Sequence, residues 1–366
     1  MSSTHHRAQR VRRRLEGVDA LLVSDLTNVR WLTGFTGSNG WLVLAPDELV
    51  LVTDGRYGEQ AAGEMAAAGV EGRVAVGLTG AATLDHITAE CARFARLGFE
   101  AAHVSYQQYT AYQQALSAQL VPLTGVVESE RRTKDEAEIE LSARACSIAD
   151  SALAEVAPRL GDGLTEAQAR NLLEIRMREL GASGPSYETI VASGPVNAAL
   201  PHHRPTDTLI ESGHTVIVDV GALVGGYHSD MTRSFVVGEP SALQRELYDV
   251  VLHAQRAGLA AVQPGIRASD LDAVCRDVIA AAGYGEWFTH GTGHGVGLLI
   301  HEDPYVNRAA ELTLQVGDVV TVEPGAYRGG FGGFRVEDLV VVTTDGCRVL
   351  TNSPKDSPCL PSPPTN

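Results

Sequence analysis

Paired cysteines, basic charge and long apolar runs are all scarce in this 366-residue chain. Its five cysteines, Cys91, Cys146, Cys275, Cys347 and Cys359, are odd in number, scattered and without CxxC spacing. That argues against a disulfide framework or a thiolate zinc site and favours free, mostly buried thiols in the reducing cytoplasm. Lys and Arg number 29 against 45 Asp and Glu, a formal charge of −16. Nucleic acid and anionic membranes both demand basic surface, so neither is an expected partner. The N-terminus is basic (Arg7, Arg10, Arg12, Arg13, Arg14), but only the short Ala20 to Val23 run follows, so no signal peptide is expected. No apolar stretch approaches the roughly 20 residues that span a bilayer. GFTGSNG, residues 34–40, lacks both a GK[ST] ending and GxGxxG spacing, and reads as a turn rather than a phosphate loop.

What is present points to a globular protein of about two domains. Residues 1–127 alternate helix and strand as an α/β domain: an Arg-rich helix, DALLVS, then VRWLTGFTGSNGWLVLAP and ELVLVTDGRY as strands separated by a Gly/Ser/Asn turn, and an Ala-rich helix from Glu59 to Gly69. From Thr133 four capping boxes predict four helix starts: Thr133 with Glu136, Thr165 with Gln168, Ser241 with Gln244, and Ser269 with Asp272. Gly-rich β segments follow each helix pair. The repetition predicts an α+β domain over 133–350 built by internal duplication, both halves adding strands to one sheet with helices outside. After about Leu350 the Pro/Ser-rich tail, 351–366, has little to bury and is expected to be disordered or loosely docked.

Chemistry concentrates in the second domain. Asp219 ends the apolar run Val216-Ile217-Val218, and Asp230 follows eleven residues later beyond Gly221, Gly225 and Gly226. A buried carboxylate needs a cation, a donor or solvent. Two on adjacent strands point to a metal, although one capping a turn and one facing water would read the same way. Further on, His294 lies in HGTGHGVG, Glu323 ends the strand Val319 to Val322, and Glu337 lies in FRVED. Period-two alternation puts Arg335 and Glu337 on one face and Asp338 on the other. The four carboxylates Asp219, Asp230, Glu323 and Glu337 carry −4, which two divalent ions neutralise while leaving His294 a neutral ligand. Oxygen-rich ligation with one imidazole suits Mn²⁺, Co²⁺, Fe²⁺ or Zn²⁺. Two such ions lower the pKa of a shared water, a nucleophile for carbonyl attack.

In VDVGALVGGYHSDMTRSF, HGTGHGVGLLIHE, TVEPGAY and FRVEDLVVVT the sequence resembles the pita-bread metallopeptidases, the family of methionine aminopeptidase, aminopeptidase P and prolidase. The motifs stand in that family's order over nearly the whole chain. The resemblance implies a creatinase/prolidase-like N-terminal domain and a pita-bread catalytic domain. It also implies a two-metal centre, Mn²⁺ first, with Asp219 and Glu323 on separate ions, Asp230 and Glu337 bridging, and His294 completing the set. RWLTGFTGSNGW and TDGRY are similar to the prolidase N-domain, and SGPVNAALPHHRPTD to a segment that supplies a substrate-facing histidine, here His202. His203 stays open. His301 matches a second such histidine, and Arg335 and Tyr327 match substrate-side residues, although a buried arginine pairing with an acidic neighbour is an equal reading of Arg335. The implied activity is hydrolysis of the N-terminal Xaa-Pro bond of short proline-containing peptides or of Xaa-Pro dipeptides. Glu323 would move the proton, with His301 and His202 at the oxyanion. A homodimer is implied, with the N-domain closing the cleft. Methionine or general aminopeptidase activity on the same centre is the alternative, and a non-enzymatic peptide-binding scaffold the remote one.

Overall fold

The computed structural model describes residues 4–362; residues 1–3 at the N-terminus and 363–366 of the Pro/Ser-rich tail lie outside the described residues. The chain divides into two compact units, Met1–Arg131 and Arg132–Asn366.

In the first unit a six-stranded mixed sheet runs in the order Arg73–Gly77, Leu49–Asp54, Gly40–Leu44, Ala20–Val23, Arg96–Glu100, Gln119–Leu123. Ala20–Val23 is buried along its whole length, as a central strand of continuous apolar residues should be. The expected strand through Val29 to Thr33 is instead the helix Leu26–Thr33. Its β-branched and aromatic residues mislead, because the ends decide: Asp25 accepts the Thr27 N–H at the N-cap, and Gly34 closes the C-cap at φ 80°, where a side chain would strain.

The first helix, Thr4–Arg12, and the last of this unit, Val126–Arg131, are joined through Glu130, which takes Arg10 Nε at 2.5 Å and also pairs with Arg14. Burial pushes the Glu130 carboxyl up, but Arg14 and Arg10 outweigh it and hold it below its ordinary value. A depressed carboxyl stabilises the fold above its unfolded pKa, about 4.3, and the contribution is lost as pH falls through the folded value. Glu130→Gln should therefore flatten the acid limb of the urea midpoint below about pH 4.3, leaving the pH 7 to 5 plateau without slope from this group.

In the second unit the helices come as two pairs, Glu136–Val156 with Glu166–Glu179 and Ala242–Ala261 with Ala268–Ala281. Thr165/Gln168 and Ser241/Gln244 form reciprocal capping boxes. The first helix starts two residues later than Thr133 predicts. Thr133 bridges to Asp318 and Lys134 N–H donates to Gly317 O, so the backbone is still extended there, and Asp135 with Glu138 forms the box. Nor does Ser269 cap the fourth helix, which begins after Arg267 without a side-chain cap. Asp272 is occupied elsewhere, accepting the Thr292 N–H and hydroxyl at 3.0 and 2.9 Å and pairing with Arg276 at 2.8 Å.

The strands of the two halves form separate hydrogen-bonded ladders rather than one sheet. Thr215–Asp219 lies between Ile190–Ser193 and Thr232–Val236, while Val319–Val322 lies between Gly293–Gly295 and Asp338–Thr343. Where the halves meet, side chains replace a continuous ladder. Ser234 Oγ accepts the Arg335 N–H at 3.0 Å and donates to the Arg335 carbonyl at 2.8 Å, and Glu337 N–H donates to Thr232 O at 3.1 Å.

The tail is docked as far as it is described, contrary to its composition. Val236 N–H donates to Pro358 O at 2.7 Å, Tyr248 OH to Lys355 O at 2.8 Å, and Leu360 packs on the core beneath the first helix pair. What it contributes is mainly backbone acceptors for buried donors, which composition does not reveal. Among the described residues no helix is long and apolar enough to cross a membrane.

Candidate metal centre

Residues from five strands and their ends converge on a cavity of ≈ 420 Å³ in the second unit. Asp219 sits opposite Thr232 at the end of the first-half ladder, and Asp230 precedes that partner strand by two residues. In the second half Val322 pairs with Asp338, so Glu323 and Glu337 emerge side by side from neighbouring strands. His294 is carried on Gly293–Gly295, which crosses Val319–Val322 so closely that a Cβ on Gly293 would lie 2.1 Å from the Thr321 carbonyl oxygen. Glycine is required there, and it lets His294 N–H reach Thr321 Oγ1 at 3.1 Å. Asp219, Asp230, His294, Glu323 and Glu337 all line the cavity, and so do His202, His301 and Arg335.

Asp230, His294 and Glu337 offer ligand atoms that all lie within 4.8 Å of one another, and His294 Nε2 is 3.5 Å from both Asp230 Oδ2 and Glu323 Oε1. His294 Nδ1 lies 3.1 Å from the Gly295 carbonyl. That contact assigns the proton to Nδ1 and turns the Nε2 lone pair into the cluster, the arrangement a ligating imidazole needs. Burial, then His301, pushes His294 down to about 4, so the ring is neutral at physiological pH.

The carboxylates are uncomfortable. Burial, followed by repulsion from Asp219 and Glu323, drives Asp230 well above the usual carboxylate range; burial and then Asp230 do the same to Glu337. Burial lifts Glu323 to about 8 despite the opposing Arg335. One guanidinium, Arg335, offsets part of this, at 2.6 Å from Asp219 and 3.9 Å from Glu323. A divalent cation removes the remainder, and the donor set of oxygens with one neutral imidazole fits such a group.

Arg335 is spent within the wall. Besides Asp219 it donates to Thr232 Oγ1 at 2.9 Å, to Tyr327 OH at 2.8 Å and to the Pro201 carbonyl at 2.8 Å. Asp338, as alternation requires, faces away, towards Arg233, Gln255 and Thr351. Tyr327 is not on the cavity wall. It is buried behind Arg335, with its hydroxyl 3.0 Å from His290 Nε2. His203 likewise turns from the cavity, onto Glu166 at 2.9 Å, whereas His202 is exposed on the wall. His301 stacks edge-on against His294 with ring centroids 4.4 Å apart, and burial holds it below its ordinary pKa.

Tyr187 and His290 are polar residues of this wall that carry no sequence expectation. Tyr187 brings its hydroxyl within hydrogen-bonding distance of both Asp219 and Asp230, and His290 lies beside Arg335's partner Tyr327. His290 was discoverable, four residues before His294 in the same Gly-rich run; Tyr187 has no local signal, since its role exists only once the strands converge.

A neutral imidazole among carboxylates that burial has driven towards protonation defines a divalent-metal enzyme built on a mixed α/β scaffold. The chain belongs to metallopeptidase family M24, whose model matches residues 140–344, and its first unit matches the creatinase/prolidase N-terminal domain over residues 7–133. It is 42% identical over 341 residues to an uncharacterized peptidase of Bacillus subtilis, YqhT, covering 93% of this chain and 95% of that one. Among solved structures it is similar to an Xaa-Pro dipeptidase from Bacillus anthracis, with TM-score 0.93, 36% identity, and 97% and 99% of the two chains covered. It is also similar to an X-Pro aminopeptidase from Thermotoga maritima, with TM-score 0.87, 33% identity, and 95% and 99% covered. The pita-bread catalytic fold and the creatinase-type N-terminal domain are therefore those of this family, and the protein is a metal-dependent peptidase.

Proposed function

We propose that this protein hydrolyses the bond between an N-terminal residue and a following proline, with Xaa-Pro dipeptides as preferred substrates. The observation that carries the reading is the convergence of five ligand-type residues and two substrate-side histidines in one cavity, on a chain similar over almost its whole length to an Xaa-Pro dipeptidase. Asp219, Asp230, His294, Glu323 and Glu337 would hold two divalent ions, Mn²⁺ the first choice. When bound, the ions supply Lewis acidity and a water of lowered pKa.

The chain's own residues do the rest. Glu323, on the cavity wall beside the other ligands, is placed to accept the water's proton and deliver it to the leaving imino nitrogen. His301 and His202 donate to the carbonyl oxygen as it gains charge. Arg335 orients Asp219, and Tyr327 acts from behind by holding Arg335. We also propose that residues 133–350 carry this chemistry, in a cytoplasmic homodimer.

A second reading, Xaa-Pro aminopeptidase, is favoured by one observation: Arg335 is committed to Asp219, Thr232, Tyr327 and Pro201 instead of reaching for a substrate carboxylate. Comparing kcat/KM for Ala-Pro, Ala-Pro-Ala and Met-Ala-Ser with Mn²⁺ supplied separates the cases. Ala-Pro should be cleaved best. A preference for Ala-Pro-Ala would select the aminopeptidase, and cleavage of Met-Ala-Ser alone would overturn both.

A further inference from the structure

We infer that Glu166 is a positioning residue for this reaction: its carboxylate fixes the segment 193–206 so that His202 faces the cavity, with His203 as the latch that holds the segment down. The inference rests on the reading of His202 as a substrate-side residue. Glu166 opens the helix Glu166–Glu179 and is fully buried. Oε1 accepts the Ser193 N–H at 2.7 Å and Asn197 Nδ2 at 3.0 Å. Oε2 accepts the Thr206 N–H at 3.1 Å and its hydroxyl at 2.9 Å, and meets His203 Nε2 at 2.9 Å.

One carboxylate thus ties down both ends of a single loop. Between the ties lie Pro201, whose carbonyl accepts from Arg335, and His202 on the cavity wall. Within the loop Ala198 is anchored in the core beside Ile190, Ala192, Ile217 and Tyr327, whereas Val196 is 71% and Leu200 46% exposed. Beyond that one anchor its order comes from polar contacts that offset the lost backbone entropy, and bonds to an ionised acceptor are the strongest available. His203, with 9% of its side chain exposed, faces Glu166 while its neighbour faces the cavity, which gives the two adjacent histidines different tasks.

Glu166→Gln tests the inference, because an amide must turn its NH₂ towards one set of N–H donors whichever way it flips. Hydrogen exchange should speed up across residues 193–206 and stay unchanged over the strand Thr215–Asp219. With Ala-Pro, kcat/KM should fall by up to about 100-fold, the scale of an ångström-level misplacement, with bound metal retained. The same change made in His202→Ala should cost nothing more. A purely structural role would lower activity equally in both backgrounds, and that result, or unchanged exchange in the loop, would overturn the inference. Should Glu166→Gln fail to fold, His203→Ala removes one contact of the five and should give the same pattern at smaller size. Full activity in His202→Ala would instead fail the reading of His202, leaving the exchange measurement to decide the clamp on its own.

Discussion

Replacing Asp230 with alanine should abolish Xaa-Pro hydrolysis while making the metal-free protein harder to melt. Asp230 is buried beside Asp219 and Glu323, and its charged form is penalised by desolvation before any repulsion is counted. Without a cation that carboxylate is a liability, so deleting it relieves the fold. With cations it is indispensable under the proposed arrangement. Losing several kcal/mol of charge stabilisation in the transition state, about 4, corresponds to about a thousandfold in rate. Melting curves and Ala-Pro turnover of Asp230→Ala, each with and without Mn²⁺, check both halves. Lower stability of the metal-free variant together with retained activity would contradict them.

Arg233→Ala should do the opposite, destabilising the protein whether or not metal is present. Arg233 is 1% exposed and lies on the reverse of the strand that bears Thr232. Its guanidinium donates to the carbonyls of Thr232, Glu337 and Ser353 and to Asp338 Oδ1 at 2.8 Å. Deleting it strands a buried carboxylate, which keeps Lys355, Gln255 and Thr351, and leaves buried carbonyls without donors. Breaking one side of such a pair costs about 3–5 kcal/mol. Urea denaturation should show a loss of that size with an unchanged slope, and Arg233→Lys should recover only part, because an ammonium cannot span the same acceptors. A variant as stable as the parent would mean that Lys355 alone balances Asp338.

The difference between these two sites bears on what a sequence discloses. Asp219 and Glu323 were legible because each stands at an apolar strand end, where a charge has no local excuse, and Glu337 because alternation sets it on the face of Arg335 and away from Asp338. Thr165 and Ser241 were legible because a capping box is complete within four residues. Thr133 and Ser269 carry the same pattern and fail, since Asp318 and Gly317 keep one backbone extended and Thr292 and Arg276 claim the other's Asp272. The strand through Val29 to Thr33 failed for the reverse reason, local propensity yielding to caps. Tyr187, the docked tail and the loop tie at Glu166 all depend on partners far along the chain or on backbone carbonyls, which no window of sequence displays.

The central claim, that these buried carboxylates exist to hold catalytic divalent ions, is tested most directly by titrating Mn²⁺ into chelator-treated protein while following melting temperature and Ala-Pro hydrolysis together. The account predicts an inactive starting protein, with activity and thermal stability rising together and saturating at two ions per chain. The stabilisation should reach about 2.7 kcal/mol per ion, about 5.4 kcal/mol for two, when free metal is a hundred times its dissociation constant. Undiminished hydrolysis in the chelated protein, or Mn²⁺ that leaves both readouts unmoved, would contradict it.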